Sequence, residues 1–223
     1  MISIIVPTMW KANQFFSRML SNIDSCDSVG EIIIIDNNIK QRNDDILSLS
    51  NKIRYLPMVR NTFFNPSLNF GYMKAKFDIL CFMNDDVVFD HNVFNFVNQN
   101  IKQNYGVITP NPKIFNTTTD KQLEFIPTDR TRDGFGCTMF LMKKNFKEIP
   151  NEITFHFGDE FIYMYQENQG RTNMTLQNWC IETPMRVTTK STPEIQPVIA
   201  KDWSVATAVF AKYGLPNPIK EPE

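Results

Sequence analysis

The stretch 77–89, FDILCFMNDDVVF, limits the possible folds more than any other: an unbroken run of apolar strand formers enters Asn84-Asp85-Asp86 and then returns to apolar residues. A strand without polar alternation is buried on both faces, as at the centre of an open α/β sheet. Two further runs share the pattern. Ile2 to Val6 ends at Pro7-Thr8, and Glu31 to Ile35 closes on Asp36-Asn37-Asn38. Asn-Asp-Asp taken alone is also an ordinary turn, because Asn and Asp cap their own backbone. In a parallel sheet, however, the three polar strand ends line one edge, where ligands bind. Adjacent carboxylates at such an edge are placed to hold a divalent cation against a phosphate.

Helical patterns separate these strands. Phe15, Phe16, Met19, Leu20 and Ile23 share one face of a helix running from about Lys11 to Ile23. A polar helix around Asp44 to Ser50 leads to a strand from Ile53 to Val59, and Pro66 to Lys76 reads as a helix with Pro and Ser at its start. The first half thus alternates β and α, the pattern of a parallel sheet. A helix near Asn92 to Lys102 and a strand from Gly106 to Thr109 follow. The texture then changes to a stretch rich in Pro, Thr and Asn, Pro110 to Arg132, and one domain with two halves, 1–110 and 111–223, is expected. Beyond it the patterns predict a strand over Cys137–Met142, a helix from Asp159 to about Asn168, and strands near Asn173–Leu176 and Arg186–Thr188. A last helix, from about Pro197 to Lys212, is stopped by Gly214 and Pro216.

Composition narrows the partners. With 23 basic and 24 acidic residues the formal net charge is -1, which offers no electrostatic footprint for nucleic acid or an anionic membrane. Any bound polyanion must be met locally. There is no basic leader and no apolar span of about 18 residues, so a soluble cytoplasmic protein with no transmembrane segment is expected. Cys26, Cys81, Cys137 and Cys180 form no CxxC pair and read as buried free thiols. Abundant Asn, Ile, Phe and Lys with scarce Gly and Ala is the bias of an AT-rich genome, such as many viruses carry.

The ordered motifs resemble the nucleotide-diphosphosugar transferases with a GT-A fold, in particular glycosyltransferase family 2. ISIIVPT looks like the opening strand, EIIIIDNN like the second strand with its base-binding acid, and SLNFGYMKAKFDILCFMNDDV like the Asn-x-Gly helix and the strand carrying the DXD motif. DGFGCTMFLMKKNF is similar to the Gly-rich acceptor strand, and FHFGDEFIYMYQENQGR to the acidic helix start with the catalytic base. The resemblance implies a GT-A (Rossmann-like) three-layer α/β/α sandwich with a central, mostly parallel sheet. It also implies a metal-dependent glycosyltransferase. Such an enzyme moves a sugar from a nucleotide-diphosphosugar, expected to be a UDP-sugar, to the hydroxyl of a glycan or other acceptor, with inversion at the anomeric carbon.

On this resemblance Pro7 and Thr8 would border the nucleotide, and Asp36 would accept hydrogen bonds from a base edge or ribose. Asn69 would bond the nucleotide, Gly71 would allow close approach, and Asn84 and Asp85 would complete the donor site, Asp85 against the ribose. Asp86 would bind Mn²⁺ or Mg²⁺, a hard cation that bridges both phosphates and stabilises the leaving diphosphate. Inversion needs a carboxylate opposite the leaving group to take the acceptor proton. Asp159 and Glu160 fit that task, and they also fit as helix-start acids favoured by the dipole. Which of them is the base stays open, because the order Asp then Glu reverses the common family order.

Gly136, within Asp133 to Cys137, would leave room below the sugar, where Phe135 could stack on the ring; a bulge is served equally well by these glycines. Tyr163, Tyr165 and Trp203 either line the acceptor side or belong to the core. Many relatives add a late His ligand, but His91 and His156 are the only histidines and neither lies late. The metal would then rest chiefly on Asp86 and diphosphate oxygens, with Lys190 or Arg186 supplementing the positive charge. Two other readings stand beside this one. A sugar-phosphate nucleotidyltransferase would carry a Gly-rich basic loop after the first strand, which Pro7-Thr8-Met9-Trp10-Lys11 lacks. A non-catalytic nucleotide- or sugar-binding module would bind the donor without turnover.

Overall fold

The computed structural model describes residues 1–90, 92–128, 134–184 and 192–219. His91, Asp133, Arg186 and Lys190, and the strand expected at Arg186–Thr188, lie outside the described residues. The chain begins with β1 (Ile2–Thr8), α1 (Asn13–Asp24), β2 (Val29–Asp36), the single-turn α2 (Asp44–Leu47), β3 (Ile53–Pro57), α3 (Phe64–Lys74) and β4 (Ile79–Met83). It continues through β5 (Val88–Phe89), α4 (Asn92–Asn100), β6 (Tyr105–Pro110), β7 (Glu124–Pro127) and β8 (Thr138–Met142). α5 (Gly158–Asn168), β9 (Thr172–Gln177), β10 (Ile181–Glu182) and α6 (Gln196–Lys212) complete it.

Eight strands form one sheet in the order β3-β2-β1-β4-β8-β6-β9-β7. β3, β2, β1 and β4 are mutually parallel, and β6 is parallel to β9. β8 runs antiparallel to both of its neighbours and β7 antiparallel to β9, so the sheet is mostly parallel. The apolar runs account for its centre. Successive side chains of a strand point to opposite faces, and here both faces are covered. Ile4, Val6, Ile32, Ile34 and Cys81 pack with Phe16 and Leu20 of α1. Ile5, Ile33, Ile35 and Phe82 pack on the other side with Leu68 of α3, Phe161 of α5 and Phe210 of α6. Each such fully buried side chain contributes about 1.5–3 kcal/mol, and the result is the expected three-layer α/β/α architecture.

Three features depart from the sequence reading. β7 falls inside the Pro/Thr/Asn-rich stretch, and β5 and β10 pair as a two-residue antiparallel ladder. The helix around Asp44 is one turn long, capped by the Asn43 side chain, which accepts from the Ile46 N–H.

The register brings the polar strand ends to one edge. Thr8 lies opposite Asp36, Asp36 opposite Pro57, and Met83 at the end of β4 opposite Thr138 at the start of β8. The Asn84 N–H donates to the Cys137 carbonyl at 3.0 Å, which ties the NDD turn to the Gly-rich segment before β8.

Candidate active site

At the sheet edge the Thr8 hydroxyl donates to Asp85 Oδ2 at 2.6 Å and accepts from the Trp10 N–H at 2.9 Å. This joins the ends of β1 and β4. Asp85 and Asp86 are both buried. Burial pushes the Asp85 carboxyl up to about 7; the Thr8 hydrogen bond opposes that rise and the Asp86 charge adds to it. Two adjacent buried acids favour a compensating positive charge. Trp10, Phe63 and Phe157 adopt left-handed backbone conformations, with φ of 59°, 64° and 63°. Such strain costs about 1–3 kcal/mol per bulky residue and gathers at functional sites. Here it falls on the residues that follow β1 and precede α3 and α5.

The Gly-rich segment meets the acidic helix start. A Cβ built on Gly136 would lie 2.1 Å from Asp159 Oδ2 and 2.9 Å from its Cγ. The room expected above Gly136 for a sugar ring is therefore filled by the Asp159 carboxylate, and only glycine lets the acid sit there. Neighbouring Cys137 connects this acid to the NDD turn. Its thiol is pushed up to about 12 by burial first, and the charges of both Asp86 and Asp159 act in the same direction. Asp159 and Glu160 stand in the first turn of α5, where the dipole favours acids. The Asp159 carboxylate also accepts from the Glu160 N–H at 3.2 Å.

A cleft of about 630 Å³ opens on the same edge of the sheet, at the carboxyl ends of β1, β2 and β3. Lys11, Lys40 and Arg60 line it against one acid, Glu194. Asn37 and Asn38 reach this lining, and Asp36 does not. The Asp36 carboxylate is fully buried, accepting from the Tyr55 hydroxyl at 2.6 Å and the Asn38 N–H at 2.7 Å. Burial first, then the bond to Asp36, pushes the Tyr55 hydroxyl up to about 12. Asp36 thus shapes the loop after β2 from within.

Other expected contacts serve packing. The Asn69 amide clamps both backbone groups of Ile149, donating to its carbonyl at 2.8 Å and accepting from its N–H at 2.9 Å. A Cβ on Gly71 would meet Ile5 Cγ2 at 2.3 Å, so its close approach is that of α3 to β1. Pro7 is buried within β1 opposite Ile35. Phe135 is buried edge-on against Tyr163, and the Tyr163 hydroxyl donates to the Thr128 carbonyl. Those rings belong to the core. Tyr165 is half-buried and stacked on Phe161, whereas Trp203 is 47% exposed.

Several residues of this region follow no motif or periodicity of the sequence: the cleft cations Lys11, Lys40 and Arg60, and Asn65, whose amide donates to the carbonyls of Ile153 and His156 just before α5. Among the described residues no group of three or more His, Cys, Asp or Glu side chains is spaced to hold a metal. The oxygen donors of Asp86 and Asp85 suit a hard cation, as a minority of its ligands.

Paired acids and a cationic cleft along the carboxyl edge of an α/β sandwich form a ligand site of the kind open sheets carry there. The family model of glycosyl transferase family 2 matches residues 3–168, and the chain belongs to that family: it is a glycosyltransferase. No curated protein sequence matches the chain. Among solved structures, the chain is similar to S. aureus TarS 1-349 at 15% identity and a TM-score of 0.65, covering 99% of this chain and 67% of that one. The same protein in complex with UDP matches at 12% identity and TM-score 0.61, covering 94% and 70%. Its complex with UDP-GlcNAc matches at 15% and 0.64, covering 99% and 68%. Identity this low establishes a shared fold. No helix among the described residues is long and apolar enough to cross a membrane.

Proposed function

We propose that the chain transfers one sugar from a UDP-sugar to an acceptor hydroxyl, with inversion, and that Asp159 is the base. The observation that carries this reading is the seat of the Asp159 carboxylate on Gly136, beside Cys137, whose thiol feels the charges of both Asp159 and Asp86. The nucleoside and the phosphate next to it would occupy the cleft, where Lys11, Lys40 and Arg60 answer the negative charge of that phosphate locally in a chain of near-zero net charge. Complexes of TarS with UDP and UDP-GlcNAc support uridine as the nucleoside.

The diphosphate would pass Thr8 and reach Asp86, which would hold Mn²⁺ or Mg²⁺ together with phosphate oxygens. When bound, the ion supplies Lewis-acid stabilisation of the departing diphosphate. Thr8 orients Asp85 through their hydrogen bond, and Asp85 would face the ribose. Asp159, held at a fixed place above the Gly-rich segment, would take the proton of the acceptor hydroxyl as the new glycosidic bond forms. Glu160 would support the acidic field of the helix start.

The test is release of UDP from UDP-hexoses in the presence of an acceptor panel, with Mn²⁺ and after chelation. Acceptor-stimulated release that needs metal and is lost in Asp86→Ala supports the reading. Full release by Asp86→Ala with metal present would sink it.

A further inference from the structure

The turn that delivers Asp159 is held from two sides. On α3, the Asn65 N–H donates to the Thr154 carbonyl at 3.0 Å, and its side-chain amide donates to the carbonyls of Ile153 and His156 at 3.2 and 3.0 Å. On α6, three consecutive residues grip the same segment. The Lys201 ammonium donates to the Glu152 carbonyl at 2.8 Å and to Thr154 Oγ1 at 3.3 Å. Trp203 packs edge-on against Phe157 with ring centroids 4.9 Å apart. Between them Asp202, 0% exposed, accepts from three backbone N–H groups: Thr154 at 3.0 Å to each oxygen, Phe155 at 2.6 Å and His156 at 2.9 Å.

A buried carboxylate that receives several backbone N–H bonds is a strong, charge-assisted anchor. What it anchors is specific. His156 leads into Phe157, whose left-handed backbone starts α5, and Gly158 then brings Asp159 over Gly136. The turn has little freedom, because a Cβ on Gly158 would lie 2.0 Å from Asn65 Oδ1. A strained residue persists only when its surroundings over-determine it, and Asp202 supplies three of the surrounding bonds. α6 lies beyond residue 168, the end of the family match, so membership of the family assigns this helix no part in the reaction.

We infer that Asp202 is a positioning residue: by binding the N–H groups of Thr154, Phe155 and His156 it fixes the turn that sets Asp159 against the reacting centre. The inference rests on Asp159 being the base, and it gives Asp202, unlike the packing side chains of α6, a part in placing that base. Asp202→Asn keeps the volume and one accepting oxygen, but it replaces the other with a donor that faces backbone N–H groups. The turn then shifts, and a displacement of about 1 Å at a catalytic group lowers turnover roughly 10²-fold.

The experiment pairs two readouts on the full chain and compares Asp202→Asn with Val209→Ala. Val209 is a buried residue of the same helix, in the core packing of the other α6 side chains. Amide hydrogen exchange at 154–156 needs no substrate; turnover with UDP-sugar and UDP affinity follow. The expected result is faster exchange and a roughly 10²-fold lower kcat in Asp202→Asn, with UDP affinity within about twofold of wild type. Val209→Ala should lose thermal stability and keep both kcat and exchange at this turn. Unchanged exchange or unchanged kcat in Asp202→Asn overturns the inference. So does an equal kcat loss in Val209→Ala, which would mark a general effect of stability. Faster exchange in a protein whose wild type transfers no sugar refutes the base assignment and leaves the clamp on the turn intact.

Discussion

Replacing Gly136 with alanine probes the seat of Asp159 with a single methyl group. The added Cβ would stand 2.1 Å from Asp159 Oδ2, 2.9 Å from Cγ and 3.0 Å from Cβ, so the whole carboxylate must retreat. Reaching ordinary contact requires a shift of roughly 1 Å, which for a catalytic group costs about 10²-fold in rate, or ~2.7 kcal/mol in the barrier. The backbone itself tolerates the change, since Gly134 and not Gly136 carries the positive φ of this segment. Gly to Ala at a compatible position even favours folding by about 0.4–1 kcal/mol through the unfolded chain. The assay is steady-state transfer at saturating donor, together with UDP titration and thermal melting. Gly136→Ala should lose about two orders of magnitude in kcat while UDP affinity and melting temperature stay near wild type. A kcat within about threefold of wild type would refute the seat, and so would a loss of UDP affinity that accounts for the whole defect.

Two further predictions follow from the acids. Asp159→Asn should lower kcat by about 10²–10⁴-fold with donor binding retained, whereas Glu160→Gln should stay within about tenfold; equal activity of the two variants in a transfer assay would remove Asp159 as the base. Asp85→Asn should trade activity for stability. The folded Asp85 carboxyl keeps its proton up to about 7 while the unfolded chain releases it near 3.8, so the folded state loses stability as pH climbs through that window. Asparagine escapes this loss, which is at most roughly 4 kcal/mol if Asp85 acts alone. Melting of the metal-free protein should show the variant's gain growing from pH 4 to pH 8, and a gain larger at pH 4 would contradict the account.

The central sheet was legible because β1, β2 and β4 are buried on both faces and read as continuous apolar runs. β7 was not, since an edge strand with exposed Glu124, Ile126 and Pro127 buries little and sits among turn formers. The acids of the site announced themselves by falling at strand and helix ends. Their partners did not. Gly136 was recognisable as a place that needs room, but the occupant of that room comes from a helix distant in sequence. Asp36 stands where a base-binding acid belongs, and the bonds its oxygens accept from Tyr55 and Asn38 are visible only in the packing of β3 on β2. Asp202 did leave a trace. It shares the i, i+4, i+7 stripe of α6 with Ala206 and Val209, and an acid on a buried helix face needs bonding partners.

The most direct test of a metal-assisted donor site is calorimetric titration of wild type and Asp86→Ala with UDP, and with GDP as the contrast, each with and without Mn²⁺. The account predicts UDP binding that strengthens with Mn²⁺ in wild type, loses that metal dependence in Asp86→Ala, and exceeds GDP binding throughout. Equal UDP binding by both proteins in the presence of Mn²⁺, or no binding of UDP to wild type, would contradict it.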